Sequence, residues 1–108
     1  MRLSKDTRNA LRALAEPRRV AILQLVRTRE LPAGDIAHRF KTTRSAISQH
    51  IQVLVRAGLL VERRDRTRRL YKVRPEGFEG VRELLSVFWD ASLSRLKSAI
   101  ESDYAAGK

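Results

Sequence analysis

Between Lys41 and Leu60 the chain reads KTTRSAISQHIQVLVRAGLL, twenty residues without one Asp or Glu. Within it stand Thr43, Arg44, Ser45, Ser48, Gln49 and His50, side chains of short to middling reach that donate and accept hydrogen bonds. Base edges in a DNA major groove require such groups. An arginine can fork onto guanine, a glutamine can pair with adenine, and a serine adapts to either. A second cluster follows in RRDRTRR, where Arg63, Arg64, Arg66, Arg68 and Arg69 place five arginines in seven residues around Asp65. Guanidinium groups at that density can neutralise phosphates or enter a narrow minor groove. The two clusters are the candidate DNA-binding residues.

Other chemistry is poorly provided for. Without a cysteine there is no disulfide, no thiolate metal site and no thiol nucleophile. His38 and His50 are the only histidines. They fall on different expected helices, and no carboxylate accompanies His50, so no metal site is expected. His50 fits a DNA-backbone or base contact, or a packing role at the helix flank, and His38 fits a surface position near phosphate. No Ser/His/acid arrangement can be read from the spacing, and no glycine loop of the coenzyme-binding type occurs. The expectation is a protein that is not an enzyme, with no catalytic residue and no cofactor.

Charge points the same way. The net charge is +11 on 108 residues, which favours an anionic polymer or surface as partner. Residues 41–75 carry ten Lys and Arg against Glu62 and Asp65, so one third of the chain holds +8 of that charge. A merely solvated surface would spread it more evenly. The first residues, MRLSKDTRNALRALAEP, lack the continuous apolar core of a secretory signal. No apolar run approaches the roughly 20 residues of a membrane span. A cytoplasmic, nucleoid-associated protein with no membrane partner is expected.

The elements that must position these clusters follow from periodicity and punctuation. Leu3, Ala10, Leu11 and Leu14 suggest a first helix, capped at Ser4 or Asp6 and ending near Ala15. Pro17 fits the first turn of a second helix, apolar from Val20 to Val26 and running to about Thr28. Pro32 and Gly34 punctuate, and Ile36, Ala37 and Phe40 carry a third helix of about two turns. Thr43 is a good cap for a fourth helix that reaches Ala57, with Gly58 as terminator. Its Ala46, Ile47, Ile51 and Leu54 recur at helical spacing and should point into a core. The period then changes to alternation around the turn-like Asp65–Thr67, a β-hairpin. Pro75 and Glu76 begin a last helix whose Leu85, Trp89, Leu93, Leu96 and Ile100 form an apolar stripe, flanked by Val81, Leu84 and Phe88. Run to Tyr104, that helix would be about 45 Å long, against a radius of gyration near 13 Å for a domain of this size. It overshoots its own domain, so the stripe needs another surface. On that stripe Trp89 reads as core or dimer interface rather than as a ligand-stacking aromatic.

The order is four helices, a hairpin and a helix: mainly α with a small β-hairpin, a helix-turn-helix with a wing. The fourth helix would be the recognition helix, and residues 1–108 a single domain.

The stretches LAEPRRVAILQLV (Leu14–Val26), LPAGDIAHRF (Leu31–Phe40), TTRSAISQHIQVLVRAGLLVERRD (Thr42–Asp65) and RRLYKV resemble the ArsR/SmtB family of bacterial winged helix-turn-helix repressors, over about residues 9 to 96. The most specific parts are AEPRR, the S-x-H-[IL]-x-x-L pattern at Ser48–Leu54, and AGLL before the wing. The resemblance implies a homodimer built on the first and last helices, residues 1–15 and 76–104, with Leu3, Leu11, Leu14, Val81, Leu84, Leu85, Phe88, Trp89, Leu93, Leu96 and Ile100 at the interface. It implies double-stranded operator DNA as partner, partly palindromic and overlapping a promoter. By position, Thr43, Arg44, Ser45, Ser48, Gln49 and His50 correspond to the family's DNA-reading segment, and Arg63 to Arg69 to its wing. Metal-sensing members carry a cysteine segment ahead of an Asp-Leu pair; here Pro32 and Gly34 precede Asp35 and Ile36. The last helix also lacks the histidines of the family's other common metal site, so the resemblance is to a branch without the metal-binding motifs. The sequence names no inducer. Two other readings use the same residues differently: a nucleoid-type or RNA-binding winged helix without base readout, and a protein-interaction module that recruits through its last helix.

Overall fold

Ser4 Oγ accepts the backbone N–H of Thr7 at 3.1 Å and starts helix α1, Lys5–Leu14. Its buried face is Thr7, Ala10 and Ala13, residues small enough for close approach. Helix α5, Glu79–Ala106, makes that approach: a Cβ on its Gly80 would collide with the Thr7 side chain. The computed structural model that gives this picture describes residues 2–106, apart from the side chains of Ser92 and of residues 104–106. Met1 of the expected 1–15 segment, and residues 107–108 of the expected single domain, lie outside it.

Glu16 caps helix α2, Pro17–Leu25, accepting from the N–H groups of Arg18 and Arg19 at 2.7 and 3.1 Å, with Pro17 in the first turn. The helix stops at Leu25 rather than near Thr28. Val26 leaves helical geometry (φ −103°, ψ 19°), and its carbonyl accepts from Val73 N–H at 3.2 Å. A contact distant in sequence ends the helix, and local periodicity does not report it.

A two-residue strand β1, Leu31–Pro32, follows, then helix α3, Ala33–Ala37. The third helix is thus shorter than the two turns expected, and Phe40 sits in the turn after it, its N–H bonded to Ala37 O at 3.1 Å. Helix α4 is Arg44–Arg56. Thr43 Oγ1 accepts from Ala46 N–H at 3.0 Å. At the other end Gly58 has φ 77°, and Leu59 N–H reaches Leu54 O while Gly58 N–H reaches Val55 O, both at 3.0 Å. This is a Schellman motif, which needs the left-handed residue that glycine supplies.

Strands β2, Leu60–Asp65, and β3, Arg68–Val73, form the expected hairpin. Strand β1 adds to its β3 edge through Leu31–Tyr71 and Pro32–Leu70, giving an antiparallel sheet of order β1-β3-β2. Two residues are too few to show alternation, so periodicity does not anticipate this strand. After a 3₁₀ turn at Pro75–Phe78, α5 runs from Glu79 to Ala106. The helix proper therefore starts later than Pro75–Glu76.

Ile22, Val26, Ile36, Ile47, Ile51, Leu54, Leu59 and Leu60 are fully buried and knit α2, α3, α4 and β2 together. Side chains of this kind each contribute about 1.5–3 kcal/mol when buried. Ile47, Ile51 and Leu54 fix the inner face of α4, and so the direction of its outer one. Helix α5 leaves this body. The molecule is 64 Å in its longest dimension with a radius of gyration of 18.5 Å, well above the ~13 Å of a rounded domain this size. Among the described residues no helix is long and apolar enough to cross a membrane.

Candidate nucleic-acid interface

With its apolar face anchored, α4 turns Ser45, Gln49, Gln52 and Arg56 outward, with Ser48 half-buried between them. Together with Val53 they line a shallow groove along the helix. Gln52 and Arg56 share this outward face and lie outside the expected set. Their signal is present in the sequence, since 45, 48, 49, 52 and 56 continue one helical stripe. Arg44 is exposed but separate. A Cβ on Gly34 would lie 3.8 Å from its Nη2, so its guanidinium rests over the start of α3. There it shares a second cleft with Asp35, Arg68, Arg69 and Tyr71, between α3, the start of α4 and the wing. Thr43 is exposed but its hydroxyl is engaged by the helix cap.

His50 is half-buried on the flank of α4 that faces α2. Its Nδ1 lies 3.4 Å from Arg19 Nη1. A guanidinium has no acceptor, so in this contact Nδ1 can only accept. Arg19 also donates from Nε to Ala13 O at 2.7 Å and from Nη2 to Arg12 O at 3.2 Å, closing the carbonyl end of α1. Of the alternatives for His50, this geometry matches the packing role. His38 is exposed at the end of α3. Among the described residues no group of three potential metal ligands occurs.

The wing's five arginines divide into two sets. Arg63 Nε donates to Glu30 Oε2 at 2.8 Å. That bond holds the Glu30 carboxyl below its ordinary range and raises the guanidinium above its own. Arg69 Nη1 stands 3.8 Å from Glu62 Oε1, which also accepts from the Tyr71 hydroxyl at 2.8 Å. Burial, then the bond to Glu62, pushes the Tyr71 phenol up. Arg64, Arg66 and Arg68 enter no ion pair among the described residues. Arg64 lies opposite Arg69 and Arg68 opposite Asp65, while Arg66 occupies the tip at φ 61°.

On α5, Leu85, Phe88, Trp89, Leu93, Leu96 and Ile100 are all exposed in the single chain, Trp89 at 64% and Leu93 at 45%. Val87, on the next face, is exposed too and falls outside the expected stripe. Leu84 is half-buried, as are Leu3, Leu11 and Leu14, of which Leu11 and Leu14 pack against the core. Val81 departs from the expectation of an outward stripe: it is 6% exposed and belongs to the protein's own core, because this first part of α5 lies against α1.

The model of a helix-turn-helix domain matches residues 14–63. Over 94 residues the chain is 35% identical to the HTH-type transcriptional regulator Rv2034 of Mycobacterium tuberculosis, covering 87% of this chain and 88% of that protein. A solved structure of a possible transcriptional regulator for arsenical resistance superposes with a TM-score of 0.68 at 39% identity, over 82% of this chain and 93% of that one. The homodimeric winged helix-turn-helix DNA-binding domain Mb0332 of Mycobacterium bovis, a possible ArsR-family transcriptional regulator, superposes with a TM-score of 0.64 at 29% identity, over 83% of each chain.

Proposed function

This chain belongs to the ArsR family of winged helix-turn-helix transcriptional regulators, and from that premise we propose that it is a homodimeric repressor of a partly palindromic operator. In this reading Ser45, Ser48 and Gln49 of α4 meet base edges in the major groove, joined by Gln52. Arg44 reaches the same duplex from beside the wing. Arg64, Arg66 and Arg68 supply phosphate or minor-groove contacts, while Arg63, Arg69 and His50 hold the surface in shape. The observation that carries the proposal is the division of α4: Ile47, Ile51 and Leu54 wholly inside, and a stripe of hydrogen-bonding residues ending in Arg56 outside, with no carboxylate from Lys41 to Leu60.

The dimer rests on α5. Its exposed stripe is too apolar for a free surface, and aromatic residues such as Trp89 and Phe88 are typical of interface cores. The homodimeric state of the Mycobacterium bovis relative supports the same arrangement. Two-fold symmetry would place one recognition helix in each of two half-sites about 34 Å apart. A dimer seated across a promoter excludes polymerase, which makes repression the outcome of occupancy.

The test is retardation of the DNA upstream of the protein's own gene, with unrelated duplex as competitor. Specific binding at least about 10³-fold tighter than to the competitor is expected. Equal affinity for both duplexes would instead favour a sequence-independent binder, the reading supported by the free wing arginines and the net charge. No binding by a folded dimer would leave the interaction-module reading.

A further inference from the structure

At the opposite end of α4 from Arg44 lies a cleft of about 240 Å³, between α1, α2 and α4. Asn9, Arg12, Arg19, Val53 and Arg56 line it, with the backbone and methyls of Ala13 and Ala57. Each of the three helices contributes one arginine, and among the described residues no carboxylate lines the space. None of the three forms an ion pair among the described residues. Arg19 is already fixed by Ala13 O, Arg12 O and His50 Nδ1. Arg12 and Arg56 are exposed, and among the described residues their guanidinium forks carry no such ties.

Arginines in the last turn of a helix have an ordinary explanation, because helix ends carry negative charge, and Arg12 and Arg56 both hold that position. The magnitudes do not let that explanation suffice. Two helix ends amount to about one negative charge together, and Glu16 at the start of α2 adds another. Against three guanidinium groups, about one positive charge remains uncompensated. The volume equals roughly eight times the ~30 Å³ share of a water molecule, ample for a hydrated phosphate.

The cleft also adjoins the candidate base-reading groove, for Val53 and Arg56 line both. A polyanion lying along α4 would pass beside it. We propose that this cleft seats a phosphate group between Arg12 and Arg56, backed by Arg19, and that the phosphate belongs to the backbone of DNA lying along α4. The proposal rests on the DNA-binding reading above and extends the binding surface beyond the recognition helix and the wing. A free phosphate would satisfy the same chemistry, so the test separates the two sources.

Operator affinity is measured across a salt series for the full chain and for Arg12→Gln, Arg56→Gln and Arg12→Lys, each checked for folding by its thermal melt. Each glutamine variant should reduce the magnitude of the salt slope by about 0.9 per protomer engaged. Arg12→Gln should weaken operator and unrelated duplex by the same factor, because a phosphate contact carries no sequence information. Arg12→Lys should restore most of the slope. In a second arm, inorganic phosphate is titrated into the DNA-free protein while the Arg Nε–H resonances are followed. Unchanged slopes with resonances of Arg12 and Arg56 that move on phosphate addition would overturn the DNA assignment in favour of a free anion. Unchanged slopes and still resonances would overturn the site altogether. If the parent protein binds no DNA, the functional reading fails by itself, and the phosphate arm still decides whether the cleft takes an anion.

Discussion

Arg63 Nε lies 2.8 Å from Glu30 Oε2, so one of the wing's five arginines is tied to the segment that leads into β1. Both partners are solvent-accessible, and the bond commits the Arg63 Nε–H to a carboxylate of its own chain. Arg64→Ala and Arg68→Ala are therefore expected to weaken DNA binding more than Arg63→Ala. They should each lower the salt slope by about 0.9 per protomer, and Arg63→Ala should leave it nearly unchanged. Equal slopes for the three variants would refute the division.

Tyr71 gives the wing a dependence on alkaline pH. Its phenol is pushed up by burial and by the bond to Glu62. The native state therefore keeps a proton that the unfolded chain releases near pH ~10. Stability is complete below that point and falls as pH rises through the native value, since the unfolded state binds fewer protons. Urea midpoints for the parent should drop between about pH 8 and about pH 11 by more than those of Tyr71→Phe. At neutral pH the variant should lose about 1 kcal/mol with its hydrogen bond. A parallel drop in both proteins would show that the titrating group lies elsewhere.

Arg66 sits at φ 61°, a left-handed conformation that costs a side-chain-bearing residue about 1–2 kcal/mol. Arg66→Gly should raise folding stability by about 1 kcal/mol in chemical denaturation and lower DNA affinity in the same preparation. Opposite movement of the two readouts is the signature. A variant that gains stability and loses no affinity would remove the tip from the DNA surface.

Arg44→Ala combined with Gln49→Ala tests base reading. Each good bidentate pairing with a base is worth about 1–3 kcal/mol of discrimination. The ratio of operator to random-duplex affinity should collapse by about 10- to 100-fold for each such pairing removed. Binding to random duplex should persist through the wing. Retention of the ratio would assign base choice to other residues.

Trp89, the only tryptophan, reports directly on the face it occupies. It is 64% exposed in the single chain. Covered by a second copy, it should emit at shorter wavelength and shift to longer wavelength on dilution. Trp89→Asp should sediment as a monomer and lose operator affinity while its melt shows a retained core. A dimer that survives Trp89→Asp together with Leu93→Asp would place the interface elsewhere.

The legible parts of the fold were those set by local chemistry. Ser4, Pro17, Thr43 and Gly58 marked helix ends that the structure keeps, because each acts through its own backbone neighbours. The α4 core face and the hairpin followed from periods that need no distant partner. Features created by distant pairing were not legible. Val26 ends α2 by bonding Val73, β1 exists only as an addition to β3, and Val81 is inside only because α1 covers it. The candidate site divides the same way. Its arginines could be counted in the sequence, but Glu30 lies 33 residues from Arg63 and His50 lies 31 from Arg19. Which cations are tied and which are free is information held only by the folded chain.

The cap on α4 has an evolutionary consequence. Thr43 Oγ1 holds the Ala46 N–H at 3.0 Å, and losing such a cap costs about 1 kcal/mol. Position 43 is thereby restricted to the few residues that can begin a helix. A lineage drifting towards a new operator would find its freedom at Ser45, Gln49 and Gln52, which bear no comparable structural duty. Paralogues with diverged targets should then vary at those three positions while position 43 stays within Ser, Thr, Asp and Asn.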